Sequence, residues 1–249
     1  EISCSLVGSE MCIRDRAMPY LQKYQGKIIV IKYGGNAMIN EELKDAVMHD
    51  VVLLRLLGMK PVLSHGGGPG INKMLEKLDI PVEFIDGLRY TSADIMRVVE
   101  MVLVGQVNTE LVGFINKLGG KAVGLSGVSG DIYHCHQRDE VHGYVGDIDY
   151  VDPKPIFAML DAGYIPVIAP VGTDGQGHTF NINGDTAAGK LASALGAEKL
   201  VILTDIEGLC NDIKIRDVIS YLNIEDVKAL KDKGTCLLYT SDAADDRIS

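Results

Sequence analysis

Cysteine is scarce in this sequence, with five residues in a chain of 249. Cys4, Cys12 and Cys236 lie near the two ends, and only Cys135 and Cys210 remain between them. Two cysteines so far apart in sequence exclude a disulfide framework or a cysteine-based zinc site. Their scarcity favours the reducing cytosol, so we expect a cytoplasmic protein.

Lysine and arginine are fewer than aspartate and glutamate, so the formal net charge is −10. A general nucleic-acid partner would favour a basic surface, so we expect no nucleic acid to bind. No continuous apolar run has the length of a membrane-spanning helix, and we expect no membrane partner. A hydrophobic content of 47% with 6% aromatic residues predicts a folded, enzyme-like globule rather than a disordered chain.

The two ends of the chain mirror one another at the level of DNA. Residues 10–16 can be back-translated into a string whose reverse complement, in a shifted frame, encodes residues 236–241. This inverted repeat resembles a transposase sequencing adapter that has been translated on both sides of an insert. We therefore expect residues 1–16 and 236–249 to be artefact and residues 17–235 to form one domain.

Apolar, β-branched runs alternate with helical patterns along residues 17–235. The runs predict strands at Lys27–Tyr33, Lys60–His65, Ala122–Ser126, Ile165–Val171 and Leu200–Asp205. The patterns predict helices at 41–57, Ile71–Leu78, Ala93–Val104, Val107–Leu118, Pro155–Ala162, Asp185–Leu195 and Ile224–Lys231. Ile132–Gly146 is polar and His-rich and predicts an antiparallel hairpin. The alternation predicts an α/β fold, a three-layer sandwich with a mostly parallel central sheet.

Two glycine-rich loops follow predicted strands. Gly34 and Gly35 come after the first strand, and Gly66–Gly68 come after the second. Glycine allows a backbone to approach a ligand closely, and a loop that leads into a helix offers N–H donors to an anion. Lys32 lies at the mouth of the first loop. Two such loops and a lysine predict a phosphoryl-transfer site, although a strand-end lysine also occurs as a residue that extends to water.

The second loop, His65-Gly66-Gly67-Gly68-Pro69-Gly70, is open to other interpretations. A lipase-type oxyanion loop needs a Gly-x-Ser-x-Gly elbow, which the sequence lacks, and a dinucleotide fingerprint needs glycine where Ile71 stands. A Walker A motif is also missing. A cradle for a small anion and a simple tight turn both remain. We interpret His65 as a structural, hydrogen-bonded residue.

Two further segments carry polar groups of interest. A helix is predicted to begin at Asp185, just after Asn181 and Asn183. The Asp185 carboxylate could complement the helix dipole, or it could form a charged hydrogen bond with a catalytic lysine. Arg89 follows Asp86-Gly87-Leu88. It could bind a carboxylate through two hydrogen bonds, or it could be a surface residue exposed to solvent. His134 and His136 share a strand face without a third ligand, so we expect no metal site in the protein itself.

These segments together resemble the acetylglutamate kinases, a branch of the amino acid kinase family. The resemblance rests on four ordered motifs: Ile31–Met38, His65–Pro69, Asp86–Arg89 and Asn181–Asp185. It implies an amino acid kinase domain over residues 17–235 that transfers the γ-phosphoryl of ATP, with Mg²⁺, to the side-chain carboxylate of N-acetyl-L-glutamate in arginine biosynthesis. It also implies a homodimer or hexamer.

The resemblance further implies a role for each matched residue. Lys32 is implied to be catalytic, with Asp185 orienting the catalytic lysines. The residues implied to bind the amino-acid substrate are Gly66, Gly67, Arg89 and Asn181. The residues implied to bind the nucleotide are Gly34, Gly35, Thr204, Asp205, Ile206, Glu207, Gly208, Leu209, Cys210 and Asn211.

One departure from the family pattern concerns the residues after Thr235. The family continues into a Gly-Gly-Met-x-x-Lys stretch with a second catalytic lysine, whereas here Cys236-Leu237-Leu238 follows. We therefore expect an incomplete fold and a poor or inactive catalyst as written. A related enzyme, such as an N-acetyl-aminoadipate kinase, and an inactive acetylglutamate-binding fragment are the alternatives.

Overall fold

The structure is a computed structural model that describes residues 18–203. The expected helix at Ile224–Lys231, the expected strand beyond Leu203 and both expected artefact segments lie outside the described residues. In chain order, the elements are α1 (residues 18–24), β1 (Ile28–Tyr33), α2 (Glu41–Leu56), β2 (Lys60–His65), α3 (Gly68–Lys77), β3 (Phe84–Ile85), β4 (Leu88–Arg89), α4 (Ala93–Lys117), β5 (Ala122–Ser126), β6 (Tyr133–Gln137), β7 (Gly146–Val151), α5 (Lys154–Asp161), β8 (Ile165–Ala169), β9 (Val171–Thr173), β10 (Thr179–Asn181), α6 (Gly184–Ala194) and β11 (Lys199–Ile202).

A parallel sheet forms the middle layer, with the strand order β11-β1-β2-β8-β5. Its continuous apolar strands bury both faces, as parallel sheets do. On one face, β1 and β2 pack with α5 and α6 around Val30, Val62 and Leu191. On the other, the same strands pack with α2 and the second half of α4. The predicted α/β sandwich with a mostly parallel sheet is confirmed.

A second, smaller sheet was only partly predictable. The expected hairpin is present as the antiparallel pair β6 and β7, but its second strand begins at Gly146 instead of ending there. β9 and β10 extend this pair to four strands, in the order β10-β9-β6-β7. The prediction of one strand over Ile165–Val171 is wrong, since the chain leaves the central sheet at Pro170. Proline has no N–H for the sheet ladder, and β9 joins the second sheet beyond it.

The prediction of two helices separated at Gly105 is also wrong. Residues 93–117 form the continuous helix α4, which contains a π-helical stretch at Met101–Val107. In the described chain α4 is long and apolar enough to span a membrane by length and composition, which corrects the expectation that no stretch has this length. This is weak evidence, because core helices of soluble proteins pass the same test. Val99, Val102 and Ile115 of α4 are buried in the protein interior.

Candidate functional site

Lys32 and Asp185 form an ion pair at the C-terminal edge of the central sheet. Lys32 lies near the end of β1 with only 1% of its surface exposed, and its Nζ is 3.2 Å from Oδ1 of Asp185. A buried ammonium needs an anionic partner, so this contact explains how the strand tolerates the charge. The alternative in which Lys32 extends to water is excluded by its burial.

Helix α6 places the Asp185 carboxylate over the sheet. Asn183 caps the helix, because its Oδ1 accepts hydrogen bonds from the backbone N–H groups of Asp185 at 3.1 Å and Thr186 at 3.0 Å. The cap fixes the first turn and with it the carboxylate. Asp185 therefore does more than complement the helix dipole, since it is held in contact with a lysine from β1.

The two glycine loops are joined by a backbone hydrogen bond. The N–H of Gly66 donates to the carbonyl oxygen of Tyr33 at 2.8 Å, and Tyr33 directly precedes Gly34. Gly34 and Gly35 are buried, and the φ of +66° at Gly35 is one that glycine adopts without strain. The expectation that Gly66 offers its N–H to an anion is therefore corrected, because that donor is already used.

Gly67 and the start of α3 are the part of the second loop for which anion binding stays a prediction. No side chain caps α3, and the first N–H groups of a helix have no partner within it. A Cβ on Gly67 would lie 2.4 Å from Cδ2 of Leu103, although its φ of 168° suits any residue. Any larger residue there would require the Leu103 side chain to shift, since helix α4 approaches the loop closely.

A single pocket collects the residues that were predicted to bind the amino-acid substrate. Gly66, Gly67, Arg89 and Asn181 all line it. The remaining lining residues are Gly68, Ile71, Phe84, Gly87, Leu88, Leu103, Val145, Pro170, Ile182, Asn183 and Gly184. Gly184 directly precedes Asp185, so the pocket adjoins the ion pair. Residues from three of the four motifs, which are distant in sequence, thus line one pocket.

The β3–β4 hairpin positions Arg89. Its turn residues Asp86 and Gly87 both have positive φ, at +49° and +83°, the geometry that Asp-Gly hairpins favour. The hairpin pairs Phe84 with Arg89, and the guanidinium carbon lies 4.8 Å from the centre of the Phe84 ring. Arg89 is 7% exposed. The interpretation of Arg89 as a solvated surface residue is therefore wrong.

Thr91 links Arg89 to Asn181. Its hydroxyl donates to the carbonyl oxygen of Arg89 at 2.9 Å and accepts from Nδ2 of Asn181 at 3.3 Å. The sequence analysis did not select Thr91, Phe84 or Leu103 for the site. The Asp-Gly turn between short apolar segments was the one available signal for this hairpin.

His65 is a buried, neutral residue beneath the second loop. Burial lowers the pKa of His65 to about 4, although a hydrogen bond with the Gly66 carbonyl opposes this shift. Nδ1 lies 2.7 Å from that oxygen and must donate, so Nε2 accepts from Nδ2 of Asn108 at 3.1 Å. These contacts agree with the structural interpretation of His65.

The nucleotide side of the site is described only in part. Gly34 and Gly35 follow β1, whereas Thr204, Asp205, Ile206, Glu207, Gly208, Leu209, Cys210 and Asn211 lie outside the described residues. The N–H of Leu203 donates to the carbonyl oxygen of Lys32 at 3.0 Å. The chain therefore enters this segment beside Lys32. Among residues 18–203, no group of three or more His, Cys, Asp or Glu is arranged to hold a metal ion.

Comparisons with curated proteins agree with these features. An acetylglutamate kinase from Heliobacterium modesticaldum is 49% identical over 231 residues, which cover 88% of this chain and 78% of the relative. One from Gloeobacter violaceus is 52% identical over 201 residues, which cover 79% and 66%. A chloroplastic acetylglutamate kinase from Arabidopsis thaliana is 48% identical over 225 residues, which cover 89% and 65%.

Solved structures share the fold. The protein smu.665 from Streptococcus mutans superposes with a TM-score of 0.73 at 29% identity, over 88% of this chain and 87% of that one. The N-acetylglutamate synthase from Neisseria gonorrhoeae, solved with coenzyme A and N-acetyl-glutamate, gives 0.78 at 23% identity, over 95% and 55%. At that identity the likeness shows the fold alone.

The family comparison covers both glycine loops, the Arg89 hairpin and the start of α6. The sequence profile of the amino acid kinase family matches residues 27–241, which make up most of the sequence. The chain therefore belongs to the amino acid kinase family.

Proposed function

We propose that this protein transfers the γ-phosphoryl group of ATP to the side-chain carboxylate of N-acetyl-L-glutamate, a step in arginine biosynthesis. The Lys32–Asp185 ion pair beside a pocket that contains a buried arginine is the observation that carries this proposal. A phosphoryl acceptor with two carboxylates needs one cation to hold it and another at the reacting end. The relatives named acetylglutamate kinase support this choice of acceptor.

The amino-acid substrate is held by the pocket between α3 and the β3–β4 hairpin. Arg89 binds the carboxylate that does not react, because a guanidinium matches both oxygens of a carboxylate. The amide of Gly67 and the side chain of Asn181 provide further hydrogen bonds. Gly66 shapes the loop and permits close approach, while its N–H stays with Tyr33.

The reaction forms one bond and breaks one. A side-chain carboxylate oxygen of acetylglutamate attacks the γ-phosphorus, and the bond from that phosphorus to the bridging oxygen breaks, which releases ADP and an acyl phosphate. Lys32 stabilises the negative charge on the transferring group, and Asp185 fixes the direction of its ammonium. No covalent intermediate with the protein is needed, since the two reactants are aligned in one site.

The nucleotide lies against Gly34 and Gly35 and along Thr204–Asn211. Mg²⁺, when bound to the nucleotide phosphates, neutralises charge on the oxygens of the transferring group. Mg²⁺ in phosphoryl-transfer sites is held largely by substrate phosphates with one or two carboxylates. The Asp185 carboxylate, which lies beside Lys32, is a group of this kind.

The test measures product formation and binding separately. The purified chain is incubated with MgATP, N-acetyl-L-glutamate and hydroxylamine, which converts an acyl phosphate into a hydroxamate. We expect a low rate of hydroxamate formation, as the departure from the family pattern after Thr235 predicts. The product should depend on both substrates, with a higher kcat/KM for acetylglutamate than for N-acetyl-aminoadipate, which is one methylene longer. The reverse preference would instead identify an aminoadipate-type kinase.

Calorimetric titration with acetylglutamate provides the second readout. Binding without hydroxamate would identify the chain as an acetylglutamate-binding fragment. Absence of both binding and product would contradict the proposal.

We also propose a cytoplasmic homodimer or hexamer, on the sequence resemblance alone. Light scattering of the purified protein measures its mass and tests the assembly.

A further inference from the structure

Ser64 is a buried hydroxyl residue directly beside Lys32. Strands β1 and β2 are parallel neighbours, and their register pairs Lys32 with Ser64. Paired residues in adjacent strands point to the same face of a sheet. The Ser64 side chain therefore shares a face with the Lys32 ammonium.

The hydrophobic cores identify that face as the one beneath α6. Val30 and Val62, two residues earlier on each strand, belong to the core that α6 covers. Side chains alternate along a strand, so Lys32 and Ser64 point the same way. Asp185, in the first turn of α6, lies on this side. Ser64 thus faces the ion pair and not the opposite core.

The Ser64 hydroxyl has no hydrogen-bond partner within residues 18–203. Ser64 is 0% exposed, and Oγ is unpaired there. Its register neighbour in β8 is the apolar Ile168. A buried hydroxyl without a partner is unfavourable and uncommon in folded proteins. The nearest charged side chain in the pairing register is that of Lys32.

We propose that Ser64 is a positioning residue that orients the Lys32 ammonium in the reacting complex, an inference that rests on the proposed function. An ammonium has three N–H donors. The Asp185 carboxylate accepts from this ammonium. In the reacting complex the Ser64 hydroxyl accepts a hydrogen bond from a further N–H, which fixes the rotation of the ammonium and directs another donor at an oxygen of the transferring phosphoryl group.

The test is a kinetic comparison of Ser64→Ala with the parent chain. Loss of one hydrogen bond to a charged group is expected to lower kcat about tenfold while the KM for acetylglutamate stays nearly unchanged. The melting temperature should stay equal or rise, because the substitution removes an unpaired buried hydroxyl. Ser64→Thr keeps the hydroxyl and should restore most of kcat.

A double variant tests whether Ser64 acts through Lys32. In a Lys32→Met background, Ser64→Ala should cause no further loss of kcat, since residues that act as a unit are not additive. Ser126→Ala is the matched control, because Ser126 is a buried serine at the end of β5 whose Oγ lies 3.2 Å from the Ser129 hydroxyl. Its kcat should match that of the parent chain.

The outcomes separate this inference from the function on which it rests. If the parent chain forms no acyl phosphate, the proposed function fails and the inference fails with it. If the parent is active, two results overturn the inference alone. One is a kcat for Ser64→Ala within twofold of the parent, and the other is an equal loss in the Lys32→Met background.

Discussion

The Lys32 ammonium and the Asp185 carboxylate lie 3.2 Å apart, although one belongs to the first strand and the other to the last helix described. The contact joins the two glycine loops on β1 and β2 to the start of α6. It exists because parallel strands and the N-terminus of a covering helix meet at the same edge of the sheet.

Replacement of Lys32 should slow the chemical step. We expect Lys32→Ala to lower kcat about a hundredfold or more, the usual effect of removing one preorganised donor from a developing charge. The KM for acetylglutamate should change little, because Arg89 and Gly67 hold that substrate in the proposed complex. Steady-state kinetics measure both. Lys60→Ala is the control, since Lys60 begins the adjacent strand and pairs with the exposed Asp161. A kcat for Lys32→Ala close to that of the parent would exclude the role of Lys32.

Asp185→Asn should destabilise the fold as well as slow the reaction. It removes the carboxylate charge from the ion pair with the buried Lys32, and we expect a loss of about 3 kcal/mol, the low end for a broken buried pair. The low end applies because 24% of the Asp185 side chain is exposed. Urea unfolding measures the change. Asp161→Asn breaks the exposed pair with Lys60 and should cost less than about 1 kcal/mol. Equal losses in the two variants would contradict the prediction.

Arg89 should control substrate binding. Arg89→Lys keeps the charge but loses the planar pair of donors, so the KM for acetylglutamate should rise about tenfold or more. We expect kcat to fall less, because Arg89 is remote from the transferring group in the proposed complex. Arg97→Lys is the control, with a side chain that is 78% exposed and pairs with Asp94. An unchanged KM for Arg89→Lys would move the carboxylate site elsewhere.

His65 should make the protein less stable in acid. Its pKa of about 4 in the folded state lies below the unperturbed 6.5, so the unfolded chain binds more protons between these values. Stability from neutral His65 is therefore complete above pH 6.5 and is lost as the pH falls towards 4. The loss is about 3 kcal/mol at 1.36 kcal/mol per pKa unit. Urea unfolding at pH 7 and pH 4.5 measures it.

His65→Gln removes the titrating group while an amide replaces the ring nitrogens. This variant should be less stable than the parent at pH 7, yet its stability should fall less between pH 7 and pH 4.5. His49→Gln changes an exposed histidine and serves as the control. The same fall in the parent and in His65→Gln would show that other groups cause the acid sensitivity.

Gly67→Ala should disturb both stability and binding. The new Cβ would lie 2.4 Å from Cδ2 of Leu103, and forcing such a contact typically costs about 1–3 kcal/mol. Leu103→Ala should relieve the clash, so the double variant should bind acetylglutamate better than Gly67→Ala alone. Gly113→Ala lies in α4 with open space around it and should stabilise the helix by up to about 1 kcal/mol. Calorimetry and thermal unfolding distinguish these cases.

The sequence was sufficient to predict the layers of the fold and most positions in the site. Continuous apolar runs identify buried parallel strands, and such strands end at a common edge, where Lys32, Gly67 and the start of α6 lie. Arg89 and Asn181 were placed through their motifs. Their common pocket follows from the β3–β4 hairpin, which was not predicted although its turn contains Asp86-Gly87.

Features that depend on pairing between distant segments were not predictable from local patterns. The strand over Ile165–Val171 divides because Pro170 interrupts the ladder and a second sheet is available to receive β9. Gly105 suggests a break, yet α4 continues through it because helix packing on both sides outweighs the low helix propensity of glycine. The use of the Gly66 N–H by Tyr33 depends likewise on the neighbouring strand.

That hydrogen bond between Gly66 and Tyr33 has a mechanical consequence for the chemistry. In the proposed complex each reactant lies against a different glycine loop, and this main-chain hydrogen bond couples the two loops at their bases. Backbone geometry would therefore set the distance between the phosphoryl donor and the phosphoryl acceptor. Replacing the side chain at Gly66 or Tyr33 does not directly remove the hydrogen bond. Substitutions in either loop can therefore change which group that loop binds, while the distance between the two reactants stays the same.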